Sequence, residues 1–303
     1  MAAESRSLGM FALRKIAVIG ATGMLGIPVT VALIDAGFAV TALSRKPDEA
    51  RRLLPAATQI IAADARDEAS LKRGLAGQDA LYLNLSIAPT ERRRDFHTEQ
   101  QGLEHILSAA RTAGIKRIAY VSAMIHDSPS RWWVQDVWRG AIARIKASGI
   151  PYTIFYPTNF METLPQRHML GGTFVMTGWS RNRNWWIAGR DFGRQVARSF
   201  MLPEAGNREY AVQGPQPITY NEAGRRFARA AGARRLTLPL FFISIAGIVS
   251  PSMRFSGRIM RAVLRYPETF EAEATWRELG KPSTTVEEFA RSLGILQIGD
   301  RIR

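Results

Sequence analysis

Residues 18–26 read VIGATGMLG and contain three glycines, each separated from the next by two residues. The run KIAVI at 15–19 leads into them and is typical of a strand buried on both faces. The segment 27–36 follows and is typical of a helix. A glycine motif in this strand–turn–helix setting predicts a dinucleotide-binding loop, whereas the alternative is a glycine-rich turn without a ligand.

The three glycines have different expected roles. Gly20 permits the tight turn, Gly23 lets a pyrophosphate approach backbone N–H groups, and Gly26 lets the helix pack close to the strand. The helix N terminus then faces the phosphates, where its partial positive charge is favourable.

The end of the second predicted strand, 38–43, indicates which dinucleotide binds. It is followed by Ser44, Arg45 and Lys46, with no carboxylate to accept a hydrogen bond from a ribose 2′-OH. Arg45 suits a bidentate contact with a 2′-phosphate, with Lys46 or Ser44 assisting. We therefore predict NADP(H) rather than NAD(H) as cofactor; the alternative for Arg45 and Lys46 is a solvated pair of cations.

The alternation of strands and helices continues along the chain. Further strands are predicted at 58–62, 80–85, 117–122 and 152–156, and helices at 70–75, 98–113 and 139–148. This pattern predicts an α/β fold, a Rossmann-type doubly wound parallel sheet with a smaller, mostly helical C-terminal substrate lobe. We expect an N-terminal tail at 1–14, an NAD(P)-binding Rossmann domain at 15–160, and a region at 161–303 that completes the sheet and forms the lobe.

Three segments, IAVIGATGMLG, SRKP and SGIPYTIFYPTNFMETL, carry a family resemblance. The sequence resembles the NmrA-like, NAD(P)-binding branch of the atypical short-chain dehydrogenase/reductase superfamily over 15–293. The branch contains reductases and also proteins that sense NADP(H) without turnover. The resemblance implies that residues 156–159 close over the nicotinamide end of the cofactor. It implies cofactor contacts at Gly20, Thr22, Gly23, Met24, Arg45, Asp64, Asn84, Leu85 and Ser86, and at Tyr156, Pro157, Thr158 and Asn159.

The tyrosine and lysine of the standard superfamily reaction are missing. Ser122 matches the family's serine, but the positions 13 and 17 residues further on are Gln135 and Arg139. Glutamine has no titrating proton and arginine is not a base at neutral pH. Arg139 is predicted to hold ribose hydroxyls or a developing oxyanion, with Ser122 as a neutral donor. His126 is a candidate proton donor, the alternative being a surface loop histidine.

Composition excludes several functional classes. The 303 residues contain no cysteine, which excludes disulfides, thiolate metal sites and cysteine nucleophiles. The four histidines show no metal-ligand spacing, so no metal is expected. No signal peptide or membrane span is evident, and we expect a cytoplasmic protein.

The formal net charge of +15 favours anionic partners, although an arginine-rich composition also occurs without any partner. Nucleic acid is disfavoured because no recognition motif is present. The apolar run 238–250 precedes arginines at 254, 258, 261 and 265, which share one helical face. Segment 238–265 is therefore a candidate membrane-surface contact, the alternative being a buried helix followed by one with a solvated face.

Three functions stay open at this point. The first is an NADP(H)-dependent oxidoreductase that transfers hydride to a small apolar or aromatic carbonyl, enone or quinone-type substrate. The second is a non-catalytic NADP(H)-sensing regulator that acts through a partner. The third is a membrane-surface protein for a lipid or quinone ligand. The sequence does not fix the oligomeric state.

Overall fold

A computed structural model describes residues 13–127, 132–202, 206–239, 241 and 250–294. Its first half alternates strands and helices as predicted. The strands are β1 (Lys15–Ile19), β2 (Ala39–Ser44), β3 (Gln59–Ala62), β4 (Ala80–Leu83), β5 (Arg117–Val121) and β6 (Tyr152–Pro157). The helices are α1 (Gly26–Asp35), α2 (Pro47–Leu53), α3 (Glu68–Leu75), α4 (Leu103–Thr112) and α5 (Trp133–Lys146). A π-helical turn, Thr98–Gly102, leads into α4, and a 3₁₀ turn, Met124–Asp127, follows β5.

The second half of the chain adds shorter strands and further helices. Its strands are β7 (Asn159–Phe160), β8 (Met169–Leu170), β9 (Thr173–Thr177), β10 (Arg183–Ile187), β11 (Arg208–Val212), β12 (Pro217–Thr219) and β13 (Arg234–Leu238). Its helices are α6 (Thr163–His168), α7 (Gly189–Met201), α8 (Tyr220–Ala230), α9 (Pro251–Arg265), α10 (Glu273–Leu279) and α11 (Val286–Ser292).

The main sheet has seven strands in the order β11-β6-β5-β4-β1-β2-β3. Every neighbouring pair runs parallel. The chain therefore crosses from β1 outward to β3 and then returns to β4 on the other side of β1. That reversal creates a crevice at the carboxyl ends of β1 and β4, where ligands bind in such sheets. The predicted doubly wound α/β fold is confirmed.

The C-terminal region combines helices with two three-stranded sheets, β12-β10-β7 and β13-β9-β8. The periodic patterns that predict helices from a sequence do not reveal strands as short as these. Their core includes Phe174, Tyr220 and Phe227, which are almost fully buried. Two elements from this half serve the main domain instead, because β11 extends the sheet beside β6 and α7 packs on α1.

Segment 238–265 is only partly described. Leu238 ends β13 rather than beginning a helix, and residues 240 and 242–249 lie outside the described residues. The arginines at 254, 258, 261 and 265 lie on α9 and are exposed. No helix among the described residues is long and apolar enough to cross a membrane.

The contact between α1 and α7 requires glycine at position 193. A Cβ added to Gly193 would lie 2.6 Å from the carbonyl oxygen of Pro28 and 3.0 Å from the Cβ of Ala32. The backbone of α1 is therefore in direct contact with α7, and neither helix can move away without opening the core.

We predict that Gly193→Ala destabilises the protein by about 1–3 kcal/mol, because the methyl group meets backbone that cannot yield. Urea denaturation of the variant measures this loss. Gly172→Ala is the matched control, because a Cβ at Gly172 meets no atom within 4 Å. Equal stability of the two variants would contradict the close packing of α1 on α7.

Candidate dinucleotide and substrate site

The glycine turn is shaped by backbone contacts that leave no room for side chains. Gly20 has φ +83°, and a Cβ there would lie 2.1 Å from the carbonyl oxygen of Asn84. A Cβ on Gly26 would lie 2.0 Å from the carbonyl oxygen of Gly20. The side-chain amide of Asn84 donates to that same oxygen at 3.1 Å. The ends of β1 and β4 and the start of α1 are thus held together around one carbonyl group.

A cavity of about 270 Å³ opens beside this turn. It brings together eight of the predicted cofactor residues from four strand ends: Gly20, Thr22, Ser44, Arg45, Asp64, Asn84, Leu85 and Ser86. Gly23, Met24 and Gly26 continue the turn into α1, whose first turn holds no acidic side chain. A cradle bounded by closely packed backbone, at an uncompensated helix N terminus, fits the pyrophosphate of a dinucleotide.

Two arginines of this cavity remain free of carboxylates. Arg45 is exposed and forms no hydrogen bond or ion pair with any described residue. Arg66, which sequence reasoning missed, lies 4.9 Å from the centre of the Phe96 ring. Lys46 does not line the cavity but pairs with Glu49 at 3.0 Å, and the Ser44 hydroxyl accepts from the backbone N–H of Lys46. Arg45 and Arg66 are therefore the two arginines that line this cavity without a carboxylate partner among the described residues.

The carboxylates of the cavity are engaged in local structure. Asp64 accepts from the backbone N–H of Arg66 at 2.9 Å. Glu91 accepts from the backbone N–H of Ala88 at 2.9 Å, and its other oxygen lies 2.6 Å from Nδ1 of the buried His97. Glu91 thus fixes the loop that borders the cavity. No local sequence signal identifies Glu91, Phe96 or Thr98 as cavity residues, because they come from a loop after β4.

The predicted catalytic residues lie at the carboxyl end of β5. The hydroxyl oxygen of Ser122 is buried without a hydrogen-bond partner. Gln135, at the position of the missing tyrosine, donates to the Ile125 carbonyl at 2.9 Å, and Arg139 donates to the His126 carbonyl at 2.9 Å. Both side chains therefore hold the 3₁₀ turn in place. The Ser122 hydroxyl and the Gln135 amide oxygen are both buried without a hydrogen-bond partner, and of these two the hydroxyl alone can donate.

Residues 156–159, which were predicted to close over the nicotinamide end of the cofactor, contact two different parts of the structure. The Tyr156 hydroxyl donates to Glu209 at 2.6 Å, and its ring stacks on His126 with centroids 4.8 Å apart. Thr158 donates to the carbonyl of Trp185, and Asn159 pairs with β10 through the backbone. The roles of Tyr156, Pro157, Thr158 and Asn159 towards a cofactor, and of His126 as a proton donor, stay predictions.

A second cavity of about 180 Å³ lies at the ends of β5 and β6, beneath α9. Its walls are largely apolar and include Met124, Ile125, Trp138, Phe160, Ile259 and Val263. Its polar members include Arg167, Asn184 and Glu268, none of which the sequence suggested. We call this second cavity the apolar pocket. Beside the apolar pocket, the ring of Trp132 packs against the ring of Phe255 on α9, with ring centroids 5.1 Å apart.

Two carboxyl groups near these sites, those of the half-buried Glu268 and the buried Glu99, have raised pKa values. Burial raises the pKa of Glu268 to about 7, although Gln213 and Asn184 donate to it at 2.7 and 3.1 Å. Burial also raises the pKa of Glu99 to about 7; Glu99 accepts from the Tyr120 hydroxyl at 3.0 Å. Tyr120 lies on β5 two residues before Ser122, and so on the same face of the strand.

Among the described residues, no group of three or more His, Asp or Glu side chains is arranged to hold a metal ion. The described residues provide a phosphate cradle, an apolar pocket and a few buried hydrogen-bonding groups.

The fold and the glycine turn define a dinucleotide-binding protein of the Rossmann class. The model of an NAD(P)H-binding family matches residues 20–177, over half of the chain. The chain belongs to this NAD(P)H-binding family, which confirms its resemblance to the NmrA-like branch of atypical short-chain dehydrogenases/reductases.

Similar proteins span most of the chain. An NAD(P)H azoreductase of Xenophilus azovorans is 25% identical over 291 residues, covering 91% of this chain and 97% of the azoreductase. Quinone oxidoreductase 2 of Escherichia coli is 31% identical over 226 residues, covering 72% of this chain and 74% of that protein. The crystal structure of Citrobacter sp. triphenylmethane reductase complexed with NADP(H) has a TM-score of 0.71 at 20% identity. The match covers 91% of this chain and 99% of the triphenylmethane reductase chain, and it supports the fold.

The raised pKa of Glu99 predicts a pH-dependent stability. Between about pH 4.5 and pH 7 the folded protein keeps a proton on Glu99 that the unfolded chain releases, so the free energy of unfolding falls as pH rises. We predict that Glu99→Gln makes this fall shallower, by at most about 1.4 kcal/mol per pH unit.

Urea denaturation across this pH range measures the slope. Glu104→Gln is the control, because Glu104 pairs on the surface with Arg144 at 3.0 Å. An unchanged slope in Glu99→Gln would show that Glu99 is ionised in the folded protein throughout this range.

Proposed function

We propose that the protein is an NADPH-dependent reductase of small aromatic or apolar carbonyl, enone or quinone-type substrates. The observation that carries the proposal is the placement of two cavities along one edge of the sheet. The phosphate cradle lies at the ends of β1, β2, β3 and β4, and the apolar pocket lies at the ends of β5 and β6. An extended dinucleotide laid across this edge directs its nicotinamide towards the apolar pocket.

Arg45 supports NADPH as the preferred cofactor. It lines the cavity at the end of β2 without a carboxylate partner, and no acidic residue replaces it there. A guanidinium forms bidentate hydrogen bonds with phosphate, whereas the 2′-OH of NADH offers it no charge. When bound, NADPH supplies the hydride for reduction.

Residues of the protein must orient the substrate and stabilise the negative charge that develops on the substrate oxygen during reduction. The buried hydroxyl of Ser122 is the available donor beside the apolar pocket, since Ala123 and Met124 line that pocket. A donor fixed in a site shielded from water stabilises developing negative charge without reorganisation. Arg139 and His126 remain candidates for holding ribose hydroxyls and for supplying a proton. The names of the azoreductase, quinone oxidoreductase and triphenylmethane reductase support reductase chemistry on aromatic substrates.

A second candidate function is NADP(H) sensing without turnover. It is favoured by Gln135 and Arg139, which occupy the positions of the catalytic pair and instead hold the 3₁₀ turn. The exposed arginines of α9 would then face a partner or an anionic membrane surface. We propose the cytoplasm as the location because the chain contains no cysteine.

The cofactor proposal predicts the effect of reversing the charge at position 45. Arg45→Asp should weaken NADPH binding by about 10- to 100-fold, because charge-assisted hydrogen bonds to a phosphate are lost, and should leave NADH binding unchanged or tighter. Calorimetric titration measures both affinities. Arg52→Asp is the control, as Arg52 is exposed on α2 and does not line the cavity. Equal effects of the two substitutions would contradict the role of Arg45.

The reductase proposal predicts that the protein oxidises NADPH in the presence of 1,4-naphthoquinone. The decrease in NADPH absorbance measures the rate of this reaction. Ser122→Ala should lower kcat by about 100-fold, as loss of an oxyanion donor does, while NADPH affinity is kept. Ser108→Ala is the control, because Ser108 on α4 donates to Glu68 away from the pocket. Tight NADPH binding without oxidation of NADPH by any quinone, enone or aldehyde would favour the sensor instead.

A further inference from the structure

The apolar pocket contains a cation, Arg167, that has no counter-ion among the described residues. Arg167 lies one helical turn after Thr163 on α6, and both residues line the pocket. No hydrogen bond or ion pair joins the guanidinium of Arg167 to any described residue. The residue is exposed, which places it at the mouth of the pocket, and partial desolvation lowers the pKa of its guanidinium.

Several arginines of the C-terminal half pair with carboxylates, whereas Arg167 does not. Arg194 pairs with Asp191, and Arg208 donates to Glu278 at 2.9 Å. Because Arg167 is exposed at the mouth of the pocket, its guanidinium stays hydrated in the free protein. A ligand anion that reaches this guanidinium can form a charge-assisted bidentate contact without first breaking an ion pair.

Glu268 lies in the same pocket but does not neutralise Arg167. No oxygen of Glu268 comes within ion-pair distance of that guanidinium in the described structure. Its oxygens instead accept from Gln213, Asn184 and the backbone N–H of Trp185. The raised pKa of Glu268, about 7 because of burial, further reduces its negative charge at neutral pH. Glu268, the acidic residue that lines the pocket, therefore leaves Arg167 available to an anion from outside the chain.

Asn184 provides a second unsatisfied group in the pocket. It is 2% exposed, and its amide oxygen has no hydrogen-bond partner. Its amide nitrogen is already committed to Glu268. Leaving a buried acceptor without a hydrogen-bond donor costs free energy. A ligand with an O–H or N–H group would satisfy the amide oxygen of Asn184.

The dimensions of the pocket limit the ligand. Its volume of about 180 Å³ is below the range of about 300–1,000 Å³ typical of pockets for drug-sized molecules. The walls formed by Trp138, Phe160 and Tyr266 suit flat rings. A compact aromatic nucleus of one or two rings is the ligand that these walls accommodate.

We propose that the apolar pocket selects acidic aromatic substrates, small one- or two-ring carbonyl or quinone-type compounds whose carboxylate or sulfonate pairs with Arg167. This assignment rests on the proposed reductase function, because it identifies the apolar pocket as that enzyme's substrate pocket. Arg167 is a specificity-determining residue: it binds the acidic substituent at the mouth, and the reducible group lies deeper, towards Ser122.

The test compares two ligands that differ only in charge, 1,4-naphthoquinone-6-carboxylate and 1,4-naphthoquinone-6-carboxamide. Calorimetry on the full chain, with and without NADP⁺, measures binding without turnover. The wild-type protein should bind the carboxylate about 10- to 100-fold more tightly than the carboxamide, as a charge-assisted bidentate contact requires. Arg167→Gln should remove this preference and leave carboxamide binding within about twofold.

Two further variants separate recognition from structure. Arg167→Lys should restore part of the preference, because it keeps the charge but loses the planar fork. Arg181→Gln is the matched control, since Arg181 is an exposed arginine of the same region outside the pocket. Equal binding of the two ligands by the wild-type protein would overturn the proposal, and so would Arg167→Gln weakening both ligands equally.

NADPH oxidation measured with the same two ligands distinguishes the failure of this inference from failure of the reductase function. Carboxylate binding that depends on Arg167, without oxidation of NADPH by either quinone, would overturn the reductase function and leave the anion subsite standing. Turnover of both quinones with equal KM would support the reductase function and overturn the role of Arg167.

Discussion

The structure depends on one close approach of three backbone segments. The carbonyl group of Gly20 lies where α1 begins, and it also accepts from the side chain of Asn84 at the end of β4. A side chain on Gly20 or Gly26 would occupy the same space as these backbone atoms. Because β1 and β4 are neighbours on opposite sides of the chain reversal, this contact fixes the crevice and the direction in which the helix N terminus points.

The same helix connects the crevice to the second half of the chain. Gly189 and Gly193 of α7 pack against Pro28 near the start of α1, and β11 extends the main sheet beside β6. The C-terminal region is thereby attached to both the cofactor turn and the strands that form the apolar pocket. This explains how α9, far along the chain, comes to roof a pocket whose floor lies at the ends of β5 and β6.

Local patterns predicted the parts of the site that are local in sequence. The strand, turn and helix from Lys15 to Asp35 carry their own signals, and Arg45 follows a strand end directly. Arg66 and Phe96 were missed because their meeting at 4.9 Å depends on tertiary packing of two loops. Arg167, Asn184 and Glu268 were missed for the same reason, since they come from separate elements with no shared motif. The short strands of the C-terminal region were missed because pairing across the chain, rather than periodicity, stabilises them.

The most direct test of the account is backbone amide hydrogen exchange with and without saturating NADP⁺. If the glycine turn is the phosphate cradle of a dinucleotide site, protection should rise at residues 22–26, 45–46, 65–66 and 85–86, while α10 and α11 are unaffected. Unchanged exchange at these residues under saturating NADP⁺ would show that VIGATGMLG forms a turn without a ligand, and would contradict the functional account built on it.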